Sequence, residues 1–328
     1  MDIAYFFRKN QSGRFSIERV FNTIQKAVDS EFVTYRFTMK YHTGIIGRLI
    51  NGIYCLGRQK DINHITGDIH YVACFLKRNR TVLTIHDIEV LNRAKSVKRY
   101  FIKLLWYTLP CKMVQYITVI SSFTKAELIK NVGVDPEKII VIPNPVSEQI
   151  KYRPKEHFNE IPIILQIGTK RNKNLDNLIL ALKEVTCCLW ILGKIDARQK
   201  CNLEAAGIDY RVFENVTYKK VLELYETCDL VTLVSTYEGF GLPIIEANGV
   251  GRPVVTSDVS SMPEVANDAA LLVDPYSVQS IKSGILKVIN TPSLRDQLVQ
   301  KGIENAKRFS IETISKQYIN IYNKIQAV

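Results

Sequence analysis

The chain has 328 residues, 46% hydrophobic and 23% charged, with a formal net charge of +12. This is enough for two domains of ordinary size and a globular, soluble composition, not a disordered or fibrous one. No apolar stretch reaches the roughly 18 residues of a membrane span. The opening MDIAYFFRKN turns charged too early for a secretion signal.

Seven cysteines without a CxxC pair fit reduced thiols in a cytoplasm better than a disulfide framework or a zinc site. Residues 1–150 hold 22 Lys and Arg against 12 Asp and Glu, whereas residues 151–328 hold 22 against 20. The basic excess therefore belongs to the first half. It suits an anionic membrane leaflet, an anionic acceptor or nucleic acid, or it is a solvated basic face. No aromatic-basic recognition motif accompanies it, so a nucleic-acid partner is not expected.

In chain order, IAYFF (3–7) reads as a strand and FSIERVFNTIQKAV (15–28) as a helix. DINHIT (61–66) and DIHYVACFLK (68–77) repeat that pairing, and TVLTIHD (81–87), YITVIS (116–121) and KIIVIP (138–143) are further strands. IPNPV (142–146) and the polar SEQIKYRPKEHFNEIP (147–162) read as a linker. The pattern then restarts. IPIILQIG (161–168), CCLWILG (187–193), DYRVFENV (209–216), DLVTLVS (229–235), RPVVTS (252–257) and AALLVDP (269–275) alternate with helical segments, and the chain ends in helices. Continuously apolar strands between helices predict two doubly wound α/β domains with mostly parallel sheets. Ligands of such sheets lie beyond the carboxyl ends of the strands, expected here in a cleft between the domains.

The stretch STYEGFGLPIIEANG (235–249) follows one such strand. Its glycines allow close backbone approach, and Pro243 suits a first helical turn. The amides of Phe240, Gly241 and Leu242 would point out of a helix N-terminus, a seat for phosphate. Glu238 precedes the helix and Glu246 lies about one turn inside it. Two carboxylates beside a phosphate seat call for sugar hydroxyls as donors. The alternative is a helix whose glutamates merely complement its dipole. Ile244 stands where a dinucleotide fingerprint needs a small residue, and no P-loop occurs.

At the matching strand end, GTKRNKNL (168–175) places Gly168 at the strand terminus and Lys173 before a helix, where lysine could neutralise a diphosphate or simply be solvated. His86 ends TIHD (84–87) in the first half and is either structural or functional. SMPE (261–264) has the form of a capping box, a sufficient structural role for Glu264.

These segments resemble the retaining glycosyltransferases of family four, with their GT-B fold and E-x7-E motif. The resemblance rests on SSFTKAELIK (121–130), VIPNPV (141–146), IGTKRNKNLDNLI (167–179), LYETCDLVTLVSTYEGFGLPIIEA (224–247) and GRPVVTSDVSSMPEVANDAALLVDP (251–275). In order and spacing it covers about residues 80 to 308.

It implies a GT-B architecture: an acceptor-side Rossmann-like domain over 1–150, a nucleotide-sugar-binding one over 151–308, and a C-terminal helix (309–328) packing back toward the first. It implies that Glu246 binds the nucleotide ribose, that Glu238 lies close to the donor sugar, and that the amides of Phe240, Gly241 and Leu242 hold the diphosphate. Gly168 belongs to the same donor loop. Lys173 would support departure of the leaving group, His86 would lie near the transferred sugar, and Gly13 would belong to a glycine loop close to donor and acceptor. The chain departs from the family pattern at Thr169, where arginine is frequent and Arg171 is the available substitute, and at Gly13, which stands alone where a glycine pair is common.

No D-x-D motif occurs, so no metal requirement is expected. The implied reaction moves a sugar from a nucleotide-diphosphate sugar to a glycan or lipid-linked hydroxyl, in a cytoplasmic protein that can contact the inner face of a membrane. The same architecture also serves nucleotide-sugar 2-epimerases and silent sugar-nucleotide binders.

Overall fold

A computed structural model describes residues 1–9 and 16–327. The chain divides into two compact units, Met1–Pro145 with Ile311–Val328, and Val146–Ser310.

The first unit holds β1 (Asp2–Phe7), β2 (Val33–Thr38), β3 (Ile62–Ile65), β4 (Thr81–Ile85), β5 (Tyr116–Val119) and β6 (Ile139–Val141), in the order β2-β1-β3-β4-β5-β6. All pairings are parallel. The strands β1, β3 and β4 are buried on both faces, and the polar Asn63, His64, Thr81 and Thr84 are buried with their apolar neighbours. The edge strand β2, VTYRFT, is half-exposed along its length, so no apolar run announces it in the sequence. The strand order reverses between β1 and β3, whose carboxyl ends lead into Arg8 and into Thr66–Asp68.

Segment 68–77, read as helical, contains only a 3₁₀ turn, His70–Phe75. The helix Ile45–Leu56 lies against it. A Cβ on Gly52 would come within 2.4 Å of the Phe75 ring, so only glycine fits there. A further helix, Ser96–Ile102, continues through a wide turn, Lys103–Thr108, into Leu109–Lys112.

The C-terminal helix Ile311–Gln326 belongs to this same unit and buries Ile314, Tyr318, Tyr322 and Ile325. The Tyr322 hydroxyl lies 2.9 Å from the Tyr5 hydroxyl on β1 and 2.6 Å from His64 Nδ1 on β3. Both buried polar groups are thereby satisfied.

The second unit holds β7 (Ile163–Ile167), β8 (Cys188–Leu192), β9 (Asp209–Phe213), β10 (Leu230–Leu233), β11 (Val254–Ser257) and β12 (Leu271–Val273), all parallel, in the order β12-β11-β10-β7-β8-β9. Its core gathers Ile164, Leu189, Ile191, Leu230 and Val255 with the helix Leu175–Leu182. The order reverses between β7 and β10, the position where doubly wound sheets bind ligands.

The stretch 147–162 is not a free tether. The buried Asp229 carboxylate lies 2.6 Å from Lys155 Nζ and accepts hydrogen bonds from Asn159 Nδ2 at 2.8 Å and Ile163 N at 2.7 Å. A buried carboxylate must be paired, and that need holds the segment down. Among the described residues, no helix is long and apolar enough to cross a membrane.

Candidate active site

Two loops leave the carboxyl ends of β7 and β10. Gly168 follows β7 with φ +88°, and a Cβ there would lie 2.9 Å from Lys173 Cγ, so glycine makes room for the lysine stem to fold back. A 3₁₀ turn, Arg171–Lys173, and the left-handed Asn174 (φ 59°) then lead into the helix Leu175–Leu182. The Asn174 side-chain amide donates to the Val234 carbonyl at 3.0 Å and to the Pro275 carbonyl at 2.7 Å. Asn172 Nδ2 donates to the Tyr237 carbonyl at 3.0 Å, and Thr236 N donates to the Asn172 carbonyl at 2.8 Å. The loops are thus sewn together by backbone contacts and short amide side chains.

The sewing brings Lys173 Nζ to 2.6 Å from Glu238 Oε1, with both side chains largely buried. Glu238 is held from behind. Its amide donates to Ser260 Oγ at 3.1 Å, and Ser261 Oγ donates to the Glu238 carbonyl at 2.9 Å and the Phe240 carbonyl at 2.8 Å. This corrects the capping-box reading of SMPE. Ser261 does precede the helix Met262–Ala266, but its side chain caps nothing there and braces the glutamate loop instead.

Gly241, at φ +107°, turns the chain into the helix Leu242–Val250, with Pro243 in the first turn. The amides of Phe240, Gly241 and Leu242 donate to no group among the described residues. They therefore stand as the uncommitted donors of a helix start, where the helix dipole also favours an anion. The Phe240 side chain turns inward and meets the Phe309 ring edge-on at 5.6 Å, which fixes the loop's height. Glu246 is buried in this helix and accepts a 2.8 Å hydrogen bond from the Tyr225 hydroxyl.

The departure from the family pattern at Thr169 has a plain geometry. The Thr169 hydroxyl donates to the Lys194 carbonyl, and Arg171 is exposed. Lys173 is therefore the cation that the fold itself brings against Glu238.

Of the remaining expected residues, Gly13 lies outside the described residues. His86 directly follows β4 in the first unit, where its Nε2–H donates to the Thr66 carbonyl at 2.8 Å, leaving Nδ1 as the acceptor nitrogen. Burial pushes its pKa below the ordinary value, against the pull of that carbonyl. Gly67, at φ +143°, permits this contact, since a Cβ would fall 2.7 Å from His86 Cδ2. Beside it Arg8 Nε donates to Glu18 Oε1 at 2.6 Å, and Arg8 also pairs with Asp68. Among the described residues, no cluster of three or more His, Cys, Asp or Glu side chains is arranged to hold a metal.

Sequence reasoning missed Tyr225, Ser260, Ser261, Asn172 and Asn174 as parts of this site. Only the last carries a local signal, because asparagine tolerates the left-handed conformation before a helix.

The model of the glycosyl transferases group 1 matches residues 148–305, and that of glycosyltransferase family 4 matches residues 53–149. The two run end to end across both units. The chain belongs to glycosyltransferase family four. This family-four glycosyltransferase is 29% identical to O-antigen chain mannosyltransferase B of Escherichia coli over 280 residues, covering 74% of this chain and 70% of that one. It is 29% identical to O-antigen chain mannosyltransferase RfbU of Salmonella typhimurium over 231 residues, covering 66% and 63%. Among solved structures, the sucrose-phosphate synthase of Thermosynechococcus elongatus matches with a TM-score of 0.83 at 16% identity, over 100% of this chain and 99% of that one. Anabaena HepE, in complex with UDP and glucose, matches at 0.81 and 16%, over 99% and 100%. At such identities the likeness concerns the fold, and the fold is GT-B.

Proposed function

We propose that this glycosyltransferase moves a hexose from a nucleotide-diphosphate sugar to a hydroxyl acceptor with retained anomeric configuration, in the synthesis of a surface polysaccharide or glycolipid. The observation that carries the reading is the Lys173–Glu238 pair beside the uncommitted amides of Phe240, Gly241 and Leu242. The amides and Lys173 receive the diphosphate, and Glu246, held by Tyr225, accepts the ribose hydroxyls. Arriving phosphate replaces Glu238 as the partner of Lys173, freeing that carboxylate for the hydroxyls of the donor sugar. Two relatives named as mannosyltransferases and a structural neighbour crystallised with UDP support this donor class.

In the reaction the bond from the anomeric carbon to the phosphate oxygen breaks. The acceptor oxygen attacks from the same face, and its proton passes to the departing phosphate. Charge developing on that phosphate meets fixed donors, so little reorganisation is needed at the moment of bond breaking. His86, in the first unit, has Nδ1 available to accept a hydrogen bond from the sugar or the acceptor. The basic first half lets the protein work at the inner face of an anionic membrane.

The test is a thermal-shift and calorimetry panel of UDP-, GDP- and ADP-sugars, each against its free nucleotide. One tight binder is expected, raising the melting temperature by ligand linkage. The linkage stereochemistry of the product then checks retention. Donor turnover without any acceptor would instead indicate an epimerase, and no binder at all would refute the donor assignment.

A further inference from the structure

A pocket of about 510 Å³ opens in the first unit, within the size range of small-ligand sites. It lies at the carboxyl edge of the sheet, where the strand order reverses, and is lined by residues directly after β1 and β3. Ligands of doubly wound sheets bind at that place.

Its lining is mixed. Lys9, Arg48 and Lys98 are three exposed cations that enter no ion pair among the described residues. Phe101, Leu105 and Trp106 line the same pocket. The Asp68 carboxylate also lines the pocket, paired with Arg8, which Glu18 shares, so this triad leaves one negative charge beside the three cations. Arg48 lies 4.9 Å from the Trp106 ring centroid, so the cationic and apolar lining meet.

The two segments that supply most of this lining are one-sided in charge. Residues 40–60 and 90–112 together hold ten Lys and Arg and no Asp or Glu. They also carry apolar side chains into solvent beyond the pocket, with Ile45 at 78%, Ile46 at 75% and Val97 at 68% exposure. Lone cations would suit a free anion, and a bare apolar wall would suit a neutral hydrophobe. The two side by side, running onto an exposed apolar face, suit a ligand with an anionic head and a hydrocarbon chain.

We propose that this pocket binds a phosphate-bearing amphiphile, its phosphate among Arg48, Lys98 and Lys9 and its chain along Phe101, Leu105 and Trp106. As the acceptor class this rests on the proposed glycosyl transfer. As a binding site it stands independently. A lipid-linked phosphate and a free phosphate share the head-group chemistry, and the hydrocarbon side assigns the lipid-linked form.

The test is calorimetry of the full chain with monomeric decyl phosphate, against inorganic phosphate and a neutral decyl polyether. Decyl phosphate is expected to bind at least about tenfold tighter than either, one charge-assisted hydrogen bond or a few buried methylenes accounting for that much. Lys98→Gln and Arg48→Gln should each weaken it by several-fold to tenfold, and Phe101→Ser should remove most of the advantage over inorganic phosphate. All three positions are exposed, so melting temperatures should stay put and confirm folding.

Equal binding of inorganic phosphate would make this a simple anion site and overturn the proposal, as would equal binding of the neutral ether. Binding to phosphatidylglycerol vesicles without binding of monomeric decyl phosphate would make it a surface dock, and the proposal would fall. Each variant is also run against the nucleotide panel. Decyl phosphate binding without any nucleotide binding sinks the donor assignment alone, whereas the reverse result sinks this pocket alone.

Discussion

The two sheets reverse their strand order in the same way, yet the loops at the two reversal points are built differently. In the second unit, Asn172, Asn174, Ser260 and Ser261 tie the loops to each other, and the one prominent cation is already paired. In the first unit, the corresponding edge opens into a pocket where cations face solvent and apolar walls remain uncovered. A braced loop whose free amides are held in place suits a ligand part that never changes, such as a nucleotide diphosphate. A roomy pocket with few fixed donors suits a ligand that varies from one relative to another. The difference teaches that one architecture can hold a preorganised site and an adaptable one at equivalent positions.

The largest expected effect breaks the preorganised side. Lys173→Ala should lower kcat by about 10²- to 10³-fold, the usual loss for a fixed donor to a developing negative charge. The donor KM should rise by a smaller factor, because the amides of Phe240, Gly241 and Leu242 still hold the diphosphate that Lys173 also meets. Steady-state kinetics with the donor found in the nucleotide panel measure both. A raised KM with unchanged kcat would mean that Lys173 only binds. Next in size, Glu246→Ala should weaken donor binding about 10- to 100-fold, as a hydrogen bond from the ribose to a charged group, about 1.5–3 kcal/mol, disappears from ground and transition states alike. Calorimetry with the nucleotide sugar reads this directly, and an unchanged Kd would refute the ribose assignment.

What the sequence made legible follows the same division. The second unit's site lies in two contiguous stretches at strand ends, so Gly168, Lys173, Glu238, Gly241 and Glu246 could be named from local chemistry and from the family pattern. Their supports come from elsewhere in the chain. Tyr225 is 21 residues from Glu246 and Ser261 is 23 from Glu238, and neither offset leaves a periodic signal. In the first unit the half-exposed edge β2 lacked an apolar run, and 68–77 carries a helical pattern but closes as a 3₁₀ turn. The helix Ile45–Leu56 buries only Asn51, Gly52 and Cys55, so its apolar residues face solvent and blur the amphipathic stripe that usually marks a helix.

Acid should separate the units. Burial pushes His64 down to about 3 and His70 to about 4, from an ordinary value of 6.5. Below pH 6.5 the unfolded chain takes up protons that the folded first unit refuses. Stability is therefore complete above pH 6.5 and falls as pH drops toward the folded values, by up to about 1.4 kcal/mol per pH unit for each histidine. The second unit contains only the exposed His157. The chain has two tryptophans, Trp106 in the first unit and Trp190 in the second, so Trp106→Phe and Trp190→Phe leave one reporter in each. Fluorescence-detected urea midpoints should fall between pH 7 and 5 for the Trp106 reporter while the Trp190 reporter stays nearly level. Parallel falls would show that the histidines do not distinguish the units.

The smallest effects sharpen the comparison, through one buried tyrosine from each unit. Tyr322 satisfies His64 and Tyr5 at once, so Tyr322→Phe leaves two buried polar groups short of a partner. It should cost about 2 kcal/mol, a lowering of the melting temperature by roughly 4–8 °C, with nucleotide binding untouched. Tyr225 instead positions the Glu246 carboxylate. Losing its hydroxyl removes one hydrogen bond, about 1 kcal/mol, and should appear as a donor Kd raised about fivefold with a melting temperature lowered by only a few degrees. Thermal melts with and without donor separate the two. If Tyr225→Phe lost stability as Tyr322→Phe does and kept its donor affinity, the Tyr225–Glu246 bond would be a core contact, and the ribose role of Glu246 would lose its positioning partner.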